Sequence, residues 1–110
     1  MRTVTLRRER SGPDLRSLIA RLTSDGELVI EGQDLGPATA MISSNGEYEW
    51  GYNFPSGSIP ALHAALGGQE NEDVLDVLER SYTGEGSYEL ERIMRETEES
   101  IPRSFWSWAG

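Results

Sequence analysis

A chain of 110 residues with nineteen acidic and ten basic side chains carries a net charge of −9, a field that repels nucleic acid and anionic lipid and draws in cationic partners. It contains no cysteine, which excludes disulfides and thiolate zinc sites and suits a reducing compartment. Residues 1–10 hold no apolar stretch of signal-peptide length, and no segment approaches the ~20 apolar residues that span a bilayer, so the chain reads as cytoplasmic.

The first element in chain order is a strand at 3–7, where alternating polarity turns Val4 and Leu6 inward. Residues 9–14 contain Ser11-Gly12-Pro13 and read as a loop. A hairpin follows, with residues 18–23 and 27–31 flanking Ser24-Asp25-Gly26. A three-residue loop with Gly26 in the left-handed position pairs Thr23 with Glu27 and Leu22 with Leu28. Leu18, Ala20, Leu22, Leu28 and Ile30 then share one face. A two-residue loop mixes the faces, because a one-residue slip reverses a strand's apolar set.

Residues 32–37 read as a turn. The expectation for 39–53 is a second hairpin, 39–43 against 47–53 around Asn45-Gly46, a favoured type I′ pair; residues 39–42 as a short helix after Pro37 is the alternative. Tyr48, Trp50 and Tyr52 lie on one face of the strand at 47–53; packing beneath the helices is the expectation, and an outward binding stripe is the alternative. Glu47 and Glu49 lie on the open face.

From Ser58 the apolar period changes from two to near four. Ser58 is placed as the cap of a short helix with Pro60 in its first turn, ended by Gly67-Gly68. Asn71 or Glu72 opens a second helix with Val74, Leu75, Val77, Leu78 and Tyr82 as its inward stripe. A third runs from about 87 to 98, with Leu90, Ile93, Met94 and Thr97 on one side and Glu91–Arg95 and Arg92–Glu96 as i,i+4 pairs. The tail from Ile101 to Trp108 reads as irregular and aromatic. Strands first and helices second predict one α+β domain over 1–110: an antiparallel sheet of four to five strands, followed by three helices packed on one face.

The charge is unevenly placed. Residues 1–22 hold six of the ten arginines against Glu9 and Asp14, while 23–110 hold four arginines against seventeen carboxylates. Lysine is absent, as GC-rich coding favours. Arg7, Arg8, Arg16 and Arg21 are expected to pair with the acidic remainder.

No catalytic, cofactor or metal site is assigned. His63 lacks the oriented nucleophile that a general base needs. Glu70, Glu72, Asp73 and Asp76 sit where a helix N-terminus favours acids. Glu96, Glu98 and Glu99 oppose the helix dipole at the end of the third helix and are candidates for a cationic partner. Adjacent residues of an extended tail point oppositely, so Phe105, Trp106 and Trp108 cannot all bury easily. They either lock the terminus or supply an exposed indole as an interface anchor.

The stretch from Glu27 through Gly32 to Pro37, with Glu47-Tyr48-Glu49-Trp50, the helix from Ile59 to Gly68 and Phe105-Trp106-Ser107-Trp108, resembles a group of small acidic actinobacterial proteins, immunity-like in size and charge. The resemblance brings no catalytic residues. It implies a bacterial interaction protein. The functional expectation is a small acidic inhibitor or immunity-type protein that holds a basic toxin or nuclease domain through Glu47, Glu49, Glu96, Glu98, Glu99, Trp106 and Trp108. The alternatives are a nucleic-acid mimic that blocks a DNA-binding protein, and a small enzyme or ligand-binding domain that uses carboxylates. No nucleic acid, membrane or cofactor is expected as a partner, and the oligomeric state stays open.

Overall fold

The computed structural model describes residues 2–36 and 46–109. They form a five-stranded antiparallel sheet in the order β1-β2-β3-β4-β5 and three helices. The strands are β1 (Thr3–Ser11), β2 (Asp14–Leu22), β3 (Leu28–Leu35), β4 (Glu47–Phe54) and β5 (Ser104–Ala109). The helices α1 (Ile59–Ala65), α2 (Val74–Ser81) and α3 (Gly86–Glu96) lie between β4 and β5 in the chain. They close a core with the sheet's inner face, in which Val4, Leu6, Leu18, Ala20, Leu28, Ile30 and Phe54 meet Leu62, Leu75, Val77, Leu78, Leu90 and Met94.

The hairpin at 18–31 has the expected three-residue register. Leu22 pairs with Leu28, the Thr23 N–H donates to the Glu27 carbonyl at 2.9 Å, and Gly26 takes φ +81°, a left-handed position that glycine enters without steric cost. Both strands run longer than their apolar alternation. β2 starts at Asp14, and β3 continues through Gly32 to Leu35, so residues 32–35 are strand rather than turn. β1 likewise runs on to Ser11, and Gly12-Pro13 is the tight turn into β2, with Ser11 opposite Asp14.

β1 also contains a bulge that the sequence did not announce. Thr5 pairs with Ile19 and Arg7 with Leu18, which leaves Leu6 as the extra residue. An inserted residue resets the alternation, so Leu6 and Arg7 are both buried. The Leu6 carbonyl accepts from the Gly84 N–H at 2.8 Å, which fixes the loop before α3 against this strand.

The pairing of β4 corrects the second-hairpin expectation. One edge of β4 lies against β3, from Leu35↔Glu47 to Leu28↔Phe54, and the other against β5. Residues 39–43 and Asn45 of the expected hairpin lie outside the described residues. The tail is not irregular; Ser104–Ala109 is an edge strand in continuous register with β4. Arg103 sets up that return. Its guanidinium donates to the carbonyls of Met94 at 2.6 Å and Thr97 at 2.7 Å, oxygens that the end of α3 leaves without helical partners. The same group lies 4.8 Å from the Phe54 ring centroid, tying the helix end to β4.

Helix starts differ in detail from expectation. Asp73, not Asn71 or Glu72, caps α2, its carboxylate accepting from the Leu75 N–H at 2.7 Å. Ser58 precedes α1, but its hydroxyl donates to the Pro102 carbonyl at 2.7 Å instead of capping the helix. α3 ends at Glu96, with Thr97 as its C-cap. Among the described residues no helix is long and apolar enough to cross a membrane.

Candidate functional site

The helices cover only part of the sheet's inner face, and a cleft opens where α3 stops short of the remainder. Cross-strand pairing aligns Arg7, Leu18, Gly32 and Trp50 in one inner row, and Glu9, Arg16, Asp34 and Tyr48 in the next. Gly32 shapes the floor. A Cβ at that position would lie 2.3 Å from the Trp50 ring, so only glycine lets the indole lie flat on the sheet. Trp50 and Tyr52 stack edge to face with ring centroids 6.0 Å apart, and Phe105 tilts against Tyr52 at 5.1 Å. A cavity of about 170 Å³ remains between these rings and Glu91, Met94 and Arg95 of α3.

One wall of the cleft is anchored by the buried Arg7. Its Nε donates to Ser87 Oγ at 2.9 Å, one terminal nitrogen donates to the Glu91 carboxylate at 3.1 Å, and the guanidinium stacks 3.8 Å over Tyr88. Glu91 is therefore engaged with β1 rather than forming the expected i,i+4 pair with Arg95. The Arg92–Glu96 pair does form, at 2.6 Å.

Asp34 lies beside this wall, between Arg16 and Tyr48 in the ladder. Burial pushes its carboxyl above the ordinary aspartate range, only partly offset by Arg16 and Arg7, while Glu91 adds to the rise. A raised native pKa means that the unfolded chain ionises first, so stability falls as pH rises from the ordinary range through the native value. Asp34→Asn is expected to be more stable than wild type at neutral pH and to lose that advantage below the ordinary aspartate range. Urea midpoints at the two pH values check this; an equal difference at both excludes titration of Asp34 as the cause.

The sheet's outer face is a second candidate surface. Gly51 gives Trp106 the clearance that Gly32 gives Trp50, since a Cβ there would lie 2.5 Å from the Trp106 ring. The Trp106 indole N–H donates to Asn53 at 3.2 Å. Glu49 accepts from the Gln33 amide at 3.1 Å and stands opposite Trp108, which is 51% exposed. A hollow of about 260 Å³ runs between Arg8 and Trp106 over Ser17, Ile19 and Gln33.

The proposed partner-binding residues thus fall into two groups. Glu47, Glu49, Trp106 and Trp108 share the outer face, and Glu96, Glu98 and Glu99 lie at the end of α3 in the helical layer. Phe105 points to the inner side and is 56% exposed at the cleft margin. Alternation in an extended strand accounts for this division of the tail aromatics. Asp34 escaped the sequence reading, and so did the choice of Glu91 as the partner of Arg7, because alternation from Val4 and Leu6 turns Arg7 outward and only the bulge at Leu6 turns it inward. The facing pairs Gly32/Trp50 and Gly51/Trp106 would have needed the strand neighbours to be known.

His63 lies away from both surfaces. Its Nε2 donates to the Glu72 carbonyl at 2.7 Å, joining α1 to the start of α2. Glu72 itself is held down to about 2 by hydrogen bonds from Arg80 and from the Gln69 N–H. Among the described residues no group of three or more His, Asp or Glu side chains is arranged to hold a metal ion.

Fold and surfaces together define a class: an open antiparallel meander with helices on its inner face, an aromatic cleft at the helix margin and an outer face that no described helix covers. Compared with models of known families, with curated proteins and with solved structures, the chain gives no significant match.

Proposed function

We propose that this chain is a small acidic protein-binding domain of the inhibitor or immunity type, acting in the cytoplasm to neutralise a basic partner such as a toxin or nuclease domain. The observation that carries the reading is the cleft beside α3. Trp50, Tyr52 and Met94 give it an apolar side and Glu91 and Arg95 a charged one, room for one anchoring side chain of a partner, and Phe105 extends the aromatic surface outward. Interface energy concentrates where one or two such anchors are sealed from water.

Charge supports the same reading. The acid excess belongs to the helical side of the molecule, where Glu96 ends α3 and Glu98 and Glu99 follow it. A field of that sign speeds the encounter with a cationic surface, and the desolvated aromatic contact then sets residence time.

The test is capture of basic proteins on the immobilised chain at low salt, followed by calorimetry of the purified complex. Affinity is expected to weaken about tenfold from low to physiological salt. Glu98→Arg with Glu99→Arg should slow association, and Phe105→Ala should speed dissociation. A complex insensitive to salt and to both changes, or no complex at all, overturns the reading. Inhibition of several unrelated DNA-binding proteins would instead mark a nucleic-acid mimic.

A further inference from the structure

On the sheet's outer face the charges of the described strands cancel. Alternation along the strands places Arg8, Arg10 and Arg21 on it, together with Glu31, Glu47 and Glu49. These are three charges of each sign, so the whole net −9 belongs to the rest of the molecule. The two signs are also segregated. Arg8 and Arg10 stand on β1 at one margin, and Glu47 and Glu49 on β4 near the other, beside Trp106 and Trp108 of β5. Between them Arg21 and Glu31 neutralise each other at 2.8 Å. The middle carries no net charge, with Ser17, Ile19 and Gln33 flooring the hollow between Arg8 and Glu49, and Leu15 and Leu35 are half-buried on the same face. Each described helix packs on the inner side.

We propose that this face docks a second copy of the chain, forming a symmetric dimer of stacked sheets whose two-fold axis runs parallel to the strands. Isologous contact requires a self-complementary surface, and the charge segregation provides one. The rotation lays β1 over β5 and β2 over β4 of the second copy, and every cross-strand rung keeps its level.

The rung Arg8, Ser17, Gln33, Glu49, Trp108 therefore meets its own reverse. Arg8 faces Trp108 of the second copy, with that copy's Glu49 alongside, a cation–π contact reinforced by an ion pair. One rung further on, Ile19 faces the Trp106 indole of the second copy, which lies over Gly51. Stacked sheets lie ~10 Å apart, a separation that the two exposed indoles can fill. A two-fold axis across the strands would instead set Arg8 and Arg10 on their own copies and Glu47 and Glu49 on theirs. The helical layer carries an acid excess, with eleven carboxylates against four arginines over residues 59–103, and repels a second copy.

Sedimentation velocity on the full chain, from micromolar to sub-millimolar concentration, tests the assembly. Wild type is expected at twice the 12.2 kDa of the chain. Arg8→Glu, Glu49→Arg and Trp108→Ala should each raise the dimer dissociation constant roughly tenfold or more. The swap Arg8→Glu with Glu49→Arg restores the ion pair but not the cation–π contact, so it should bind more tightly than either single variant, a rescue that misfolding cannot mimic; circular dichroism confirms that each variant is folded. A wild-type monomer throughout this range overturns the proposal. A dimer that the single variants leave intact, or a swap that binds no more tightly than they do, overturns it too by assigning assembly to another surface. If a basic protein protects β4 and β5 from exchange while the chain alone stays monomeric, the face belongs to that partner and the proposal is lost.

Discussion

Phe54→Ala is expected to remove about 3–5 kcal/mol of folding stability, the usual cost of deleting a buried phenyl ring from a core that relaxes only partly. Phe54 heads the fully buried side chains by size, with 0% of its surface exposed. It closes β4 opposite Leu28 and supports Arg103, whose guanidinium lies 4.8 Å from its ring centroid. Arg103 in turn holds the last carbonyls of α3, and burial pushes its own pKa down. One truncation therefore opens a cavity and loosens the joint between helix, sheet and β5. A domain of this size has roughly 5–15 kcal/mol in total, so the variant should melt about 10 °C or more below wild type. Urea unfolding with an unchanged slope and a lower midpoint would attribute the loss to stability rather than to a different unfolded state. Phe105→Ala, at the exposed end of the same aromatic series, should stay within about 0.5 kcal/mol. A loss under about 1 kcal/mol at Phe54 would contradict this account of the core.

Glu91→Ala is the second large effect, at about 3 kcal/mol. Arg7 is 7% exposed, while Glu91 is only partly buried. Removing the carboxylate strands a buried guanidinium, and breaking such a pair from one side costs about 3–5 kcal/mol, most of it desolvation left unbalanced. Arg7→Met should cost less, because Glu91 can turn toward water, whereas Arg7 cannot. The double variant, Arg7→Met with Glu91→Leu, should recover most of the loss. A double-mutant cycle by chemical denaturation is expected to show coupling above about 1 kcal/mol. Additive single effects would mean that the ion pair is incidental and that Arg7 acts through its stacking on Tyr88.

Both variants probe features of different legibility. The apolar residue at position 54 follows a strand whose aromatic face could be assigned by alternation alone, and Tyr48, Trp50 and Tyr52 do share the inner side. Arg7 has no such signal, since its burial depends on an extra residue at Leu6. The cleft was half legible. Its aromatic floor was recognisable as a stripe, whereas its roof of Glu91, Met94 and Arg95 depended on where α3 ends over the sheet.

Local chemistry in the sequence determined the switch from strands to helices near Ser58, the Gly26 hairpin with its register, the inward stripe of α2 and the two faces of β4. These are short-range outcomes: periodicity fixes which side of an element is apolar, and a left-handed glycine fixes how neighbouring strands align. Tertiary structure decided which strands became neighbours. It joined β3 to β4 across the 37–45 segment, recruited Ser104–Ala109 as the fifth strand, and separated the acid-rich helical layer from a charge-balanced sheet face. A strand's own residues specify its faces but not its edge partners, because ladder hydrogen bonds are made by a backbone common to every residue except proline. The edge partner is chosen by long-range closure of the core, which the Arg103 joint and the Gly32/Trp50 and Gly51/Trp106 contacts accomplish only once the chain has folded.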